Sequence, residues 1–323
     1  GVAVWSNWLA LSGGDGGLAA GSWQAPLIAM MRSGAAVKRE RVARAFAVGC
    51  QLHPCDAAAA QAAMVKLYED SPAPAAAAAS GRTNQRNDDG KTIRRAAAEG
   101  LRALGAAGAL ANNDAAMAVL KFATTVGAID QNEDVRDCMV KAGVAVLDCY
   151  AKDVPALLKF LQAEMRPAKA GEDLDSFDYR HEAVVVLLGA AGKYAPADAP
   201  ELVESIVKSL VGALRTPSEA VQTAVAGCIV PLVQRSKTAE STQVLLRQLL
   251  QDVLEAETYG ERRGAAFGLA AFIKGMGIAV LKQNDVVAHL RENCEKGSVG
   301  ARQGALGAFE RLSAQLGLLF EPY

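Results

Sequence analysis

"RGAAFGLAAF" (residues 263–272) and "RQGALGAFERL" (302–312) are one pattern written twice. Each opens on an arginine, keeps the second position after it small, and places apolar side chains four and seven residues on. Offsets of four and seven share one face of a helix. Five further segments follow the pattern, with Gln222 in place of one arginine and Glu182 the one second position that is not small: "QTAVAGCIVPLV" (222–233), "RHEAVVVLLGAA" (180–191), "RDCMVKAGVAVL" (136–147), "RRAAAEGLRAL" (94–104) and, more loosely, "RVARAFAVGCQL" (41–52). From the N-terminal end the starts are 53, 42, 44, 42, 41 and 39 residues apart, and six of the seven are arginine. Position four holds Ala45, Ala98, Val140, Val184, Ala226, Phe267 and Leu306; position seven holds Val48, Leu101, Gly143, Leu187, Ile229, Ala270 and Phe309.

An amphipathic segment precedes most of these, at 154–165, 201–214, 242–255 and 285–297. Pro155 and Pro200 stand where a helix start tolerates proline. Asp134, Asp178 and Glu261, two residues before a repeat arginine, are placed to cap the second helix or complement its dipole. A helix–turn–helix unit recurring at about forty residues is the HEAT period. No stretch alternates apolar and polar residues as a strand would. The expected fold is an all-α solenoid, HEAT/armadillo-like, of about seven helix hairpins. The array is expected over 23–323, behind a partial helix and glycine-rich connector at 1–22, with a mobile insertion at 71–91 ("SPAPAAAAASGRTNQRNDDGK") accounting for the 53-residue step.

The glycines pose a question, because one inside a helix costs about 1 kcal/mol against alanine. Gly227, Gly268 and Gly307 all fall five residues after a repeat start, on a face with the small second position. Two readings are open: they admit a neighbouring helix, or they let a ligand reach the backbone. Gly275 and Gly277 read as helix terminators. The arginines also have two readings. They form an internal ladder, or some face an acidic or phosphate-bearing partner. On the second reading the candidate contacts are Arg94, Arg95, Arg262, Arg263, Lys274 and Arg302.

Composition narrows the function. Hydrophobic residues make up 51 % but aromatics only 5 %, so the core is built from small aliphatic side chains and few rings are available for base stacking. A net charge of −1 gives no whole-chain footprint for nucleic acid. The six scattered cysteines match no disulfide framework, so reduced thiols and a cytoplasmic setting are expected. The chain opens on Gly1 without a signal segment, and a fragment is expected. The near-apolar run 264–281 is broken by Lys274 and two late glycines, which argues against a membrane span. "CQLHPC" (50–55) lacks the paired half of a zinc site, and "LGAAGKYA" (188–195) lacks the spacing of a phosphate loop. A non-enzyme without cofactor or metal is expected.

The last 66 residues carry more than a repeat. "YGERRGAAFGLAAFIKGMGIAVLK" (259–282) and "RQGALGAFERLSAQLGLLFEPY" (302–323) resemble the large ribosome-associated translational activators of the general-control pathway (the GCN-one type). The resemblance implies a HEAT superhelix that engages ribosomes and an ATP-binding-cassette partner. It also implies help in activating the kinase that phosphorylates the alpha subunit of translation initiation factor two. The expected function is a scaffold segment of such an activator, with no sequence-specific DNA contact. A HEAT adaptor for protein ligands only, in transport or phosphatase assembly, is the alternative. A HEAT-like DNA glycosylase is a remote one.

Overall fold

The structure, a computed structural model, describes residues 23–33, 36–71, 85–150, 154–168, 171–196 and 199–323. The expected helix and connector at 1–22 lie outside the described residues, as does most of the 71–91 segment. Its last residues, from Gln85, are the opening turns of a helix.

Among the described residues there are fifteen α-helices and no strand. In chain order they are α1 (Gln24–Ser33), α2 (Ala36–Leu52), α3 (Ala57–Glu69), α4 (Gln85–Ala106), α5 (Asn113–Thr125), α6 (Glu133–Cys149), α7 (Val154–Glu164), α8 (Leu174–Gly192), α9 (Pro200–Ala213), α10 (Glu219–Ser236), α11 (Glu240–Glu255), α12 (Tyr259–Met276), α13 (Val280–Gln283), α14 (Val286–Lys296) and α15 (Val299–Leu316). They fall in sequence into hairpins of a first and a second helix, the HEAT solenoid unit. The chain divides into two compact units at Leu157/Leu158, within α7. In the first unit the second helices α2, α4 and α6 stack successively; in the other, α8, α10, α12 and α15 do so. Each first helix packs behind, α5 on α6, α9 on α10, α11 on α12 and α14 on α15. Stacking buries what one hairpin cannot cover alone. Leu101, Leu104, Val146 and Met139 line the core of the first unit, and Val184, Ile229, Leu269 and Phe272 that of the other.

Helix starts are set by side chains that accept a backbone N–H left over in the first turn. Asn112 accepts from the Ala115 amide, Asn132 from Val135, Asp173 from Ser176 and Ser298 from Ala301. Thr258 and Glu261 form a reciprocal capping box, the Thr258 hydroxyl accepting from the Glu261 amide at 3.2 Å and the Glu261 carboxylate from the Thr258 amide at 3.1 Å. The expectation for Glu261 therefore holds. Asp134 lies in the first turn of α6, paired with Lys91 at 2.8 Å. Asp178 is a correction: α8 begins at Leu174 with Asp173 as its cap, so Asp178 sits inside the helix.

These caps reset the repeat register. Arg136, Gln222, Arg262 and Arg302 each lie four residues after the cap of α6, α10, α12 and α15, and each amide bonds the cap carbonyl. In α12 the equivalent residue is thus Arg262, not Arg263. The last two steps become exactly forty residues each.

With the register corrected, the glycines separate. Gly264 and Gly304 occupy equivalent places, and there the backbones meet. A Cβ on Gly264 would lie 2.9 Å from the Leu214 carbonyl carbon, and one on Gly304 3.0 Å from that of Val253. Gly268 also packs tightly, its Cβ position being 2.9 Å from Leu249 Cδ2. Gly227 and Gly307 do not, because nothing lies within 4 Å of a Cβ on either. For these two the close-packing reading is overturned. Gly227 is four residues before Pro231, which lies inside α10. Proline both removes the hydrogen bond to that carbonyl and crowds it, so Gly227 is the residue that must yield. Gly275 is a second correction: it lies inside α12, buried, with its Cβ position 2.9 Å from Val233 Cβ. Only Gly277, at φ 102°, ends the helix.

Candidate partner surface on the second helices

The six basic candidates divide between internal ties and open surface. Arg94 is the clearest internal one, only 4 % exposed. Its Nε donates to Asp130 Oδ2 at 2.7 Å and its Nη2 to Oδ1 at 3.2 Å, while the Tyr68 hydroxyl donates to the same Oδ2 at 2.6 Å. Burial pushes the Asp130 carboxyl up, but the bonds from Arg94, Tyr68 and the Asn132 amide outweigh it and leave it below its ordinary value. Arg94 thus locks α4 to the turn before α6 and has no surface to offer a partner. Arg95, on the next face, is partly open and bonds Glu99 at 3.1 Å.

Arg262 and Gln222, forty residues apart, do the same job in successive hairpins. Gln222, fully buried, donates through Nε2 to the carbonyls of Leu214 and Thr216 in its own hairpin turn and to Gly260 in α12. Arg262 donates to Ala256 and Glu257 in its own turn at 2.8 and 3.1 Å, and to Gln303 in α15 at 3.3 Å. Each closes one turn and grips the next second helix. This is the internal ladder, built here on carbonyls where Arg94 uses a carboxylate. The turn carbonyls among its acceptors are those a helix end leaves without partners.

Arg263 and Arg311 point the other way. Arg263 bonds Gln222 Oε1 at 2.9 Å and lies 5.6 Å from the Tyr259 ring; its Nη1 is 3.4 Å from Glu219. Arg311 stacks over the Phe267 ring at 4.2 Å and reaches the same Glu219 at 3.6 Å. Beside them runs a groove of about 210 Å³ between α12 and α15, bordered by Tyr259, Leu306 and Gly307. Lys274 is exposed, with a 3.2 Å bond to Gln315, and Arg302 is exposed. Neither Phe267, Arg311 nor Glu219 was legible as part of a site, since 92 residues separate the outer two.

Chemistry beyond recognition has little to work with. Among the described residues no three His, Cys, Asp or Glu side chains are grouped to hold a metal. No helix there is long and apolar enough to cross a membrane. His181 is 6 % exposed, neither ring nitrogen has a hydrogen-bond partner, and it packs edge-on to Phe177 at 5.1 Å. Burial, with Arg180 adding to it, lowers its pKa to about 4. The described cysteines are free thiols, and burial pushes those of Cys50 and Cys228 up to about 12, away from nucleophilic use.

The profile of the family described as "Stalled ribosome sensor GCN1, HEAT repeats" matches residues 22–193. That span lies N-terminal to the two C-terminal runs on which the resemblance was read. "Protein ILITYHIA" of Arabidopsis thaliana is 42 % identical over 207 residues, covering 64 % of this chain and 8 % of that protein. "Stalled ribosome sensor GCN1" of Homo sapiens is 41 % identical over 196 residues, covering 60 % of this chain and 7 % of that protein. "eIF-2-alpha kinase activator GCN1" of Saccharomyces cerevisiae is 29 % identical over 217 residues, 66 % of this chain and 8 % of that protein. The chain thus spans less than a tenth of the length of these relatives. The family match, the forty-residue hairpins and the carbonyl ladder agree, and the chain belongs to the GCN1 HEAT-repeat family.

Proposed function

We propose that this chain is a non-catalytic scaffold segment of a cytoplasmic translational stress-control protein, binding ribosomes and partner proteins. In that role it would help activate the kinase acting on translation initiation factor two. The observation that carries the reading is the family match over 22–193, supported by relatives named for sensing stalled ribosomes and for activating that kinase. The fold agrees with it: the second helices of successive hairpins carry exposed side chains, among them Tyr259, Arg302 and Leu306. The exposed Arg302 and Lys274 and the half-buried Arg95 are the basic residues through which we propose ribosome contact. Arg94 is excluded by burial and Arg262 by its ties to the hairpin turn. An ATP-binding-cassette partner and the general-control kinase follow from the resemblance as further partners.

Co-sedimentation of the purified chain with ribosomes tests this. Binding should fall steeply as salt rises, because phosphate contacts release counterions. The double variant Arg302→Glu/Lys274→Glu should weaken binding and flatten the salt dependence. Unchanged sedimentation of that variant, or no sedimentation of the unmodified chain at low salt, would refute the proposal.

A further inference from the structure

We propose that the groove between α12 and α15 is a docking site for a protein segment carrying a carboxylate beside an apolar side chain, and that Glu219 occupies the carboxylate position until the partner arrives. Two guanidiniums converge there on a single carboxylate brought from α10. Arg263 meets it at 3.4 Å and Arg311 at 3.6 Å, against 2.7 Å for the buried Arg94–Asp130 pair. The Glu219 side chain is 54 % exposed, so these bonds compete with water and hold it loosely. Both guanidiniums are fixed in place without it. Arg311 lies on the Phe267 ring, and Arg263 is bonded to the buried Gln222. The site is therefore a preformed pair of donors, each guanidinium offering one nitrogen to a different oxygen of the carboxylate.

The groove beside the pair is open, and its lining mixes charged residues with Tyr259, Ala266 and Leu306. Leu306 is 61 % exposed and Tyr259 52 % exposed, and together they give an incoming side chain something to cover. Gly307, which supports no packing, leaves the α15 backbone accessible between them. Charge decides the class of partner. Arg262 lines the groove as well, so three arginines face Glu219 and the exposed Glu310, a local surplus of one positive charge. A chain of phosphates would bring several charges against these carboxylates, whereas one incoming carboxylate offsets the single surplus charge. The groove therefore fits a peptide better than a nucleic acid.

The test uses the full chain and fluorescence anisotropy, with a labelled Leu/Glu peptide, its Leu/Gln copy and an oligouridine as probes. The Glu peptide should bind and the Gln copy should not. Glu219→Gln removes the carboxylate the two arginines share, leaving Arg311 only Glu310 at 3.3 Å, and should tighten binding roughly three- to fivefold, the equivalent of a surface ion pair. Leu306→Glu, at an exposed position that the fold does not need, should weaken it. The idea is overturned if Glu219→Gln leaves affinity unchanged, if the Gln copy binds equally, or if oligouridine binds in place of the peptide. No ribosome is present in the assay, so its outcome is independent of the ribosome reading.

Discussion

Placing alanine at Gly264 and at Gly307 should move stability in opposite directions, although both residues lie in second helices of neighbouring hairpins. At Gly307 nothing lies within 4 Å of the new methyl, so only helix propensity changes. Gly307→Ala should stabilise by about 0.5–1 kcal/mol. At Gly264 the methyl would arrive 2.9 Å from the Leu214 carbonyl carbon and 2.8 Å from Gln222 Nε2. Contact between such atoms needs about 3.4 Å or more, so α12 must back away by more than half an ångström. That shift also stretches the bond from Gln222 to the Gly260 carbonyl, 2.9 Å in the folded chain. Overpacking of this kind costs about 1–3 kcal/mol, and the Leu214 carbonyl oxygen, closer still to the new methyl, puts this site at the upper end. The gain in propensity offsets less than half of that. The two variants should therefore differ by about 2–3 kcal/mol. Urea unfolding followed by far-ultraviolet circular dichroism measures this, with the slope compared between variants because a repeat array need not unfold in one step. Gly304→Ala should behave like Gly264→Ala. If Gly264→Ala unfolds at or above the urea midpoint of the unmodified chain, the close approach of backbones described above is wrong.

The buried His181 makes stability depend on pH. Its folded pKa of about 4 lies below the unfolded value of 6.5, so the unfolded chain binds the extra proton. The stability it permits is complete above pH 6.5 and is lost as pH falls toward 4, about 2 kcal/mol of it by pH 5. His181→Leu should remove that part of the slope in unfolding titrations between pH 7 and 5, and parallel curves would refute it. Asp130→Asn should cost about 3–5 kcal/mol by leaving the Arg94 charge buried without its counterion. Arg94→Met combined with Asp130→Leu should cost less than the single change, and a double-mutant cycle reads the difference.

The hairpin period was legible because burial on two faces forces small and apolar side chains to recur at helical spacing, from Ala98 to Phe309. Register was not. In α12 two arginines stand side by side, and the pattern of apolar offsets alone selects Arg263. Only the capping box of Thr258 and Glu261 shows that Arg262 occupies the repeat position, and with it that Gly264, not Ala265, matches Gly304. The pair of readings for the arginines also could not be separated from sequence. Arg94 is internal because Asp130, 36 residues on, is folded beneath it, and Arg302 is exposed although the pattern treats the two alike. The groove lay further out of reach. Glu219, Phe267 and Arg311 come from three hairpins, and no local rule connects them.

Gln222 and Arg262 fasten a turn and the following helix with one side chain, which gives the array a grain. Severing Gln222 loosens a bend and its successor together, whereas hairpins further along keep their own fastenings. A pull along the stack should consequently yield in steps of neighbouring units, each giving way only after the clasp beside it. Compliance in such a chain is set by single amides and guanidiniums at forty-residue intervals, and exchanging Arg262 for a shorter residue should soften one joint while leaving its neighbours stiff.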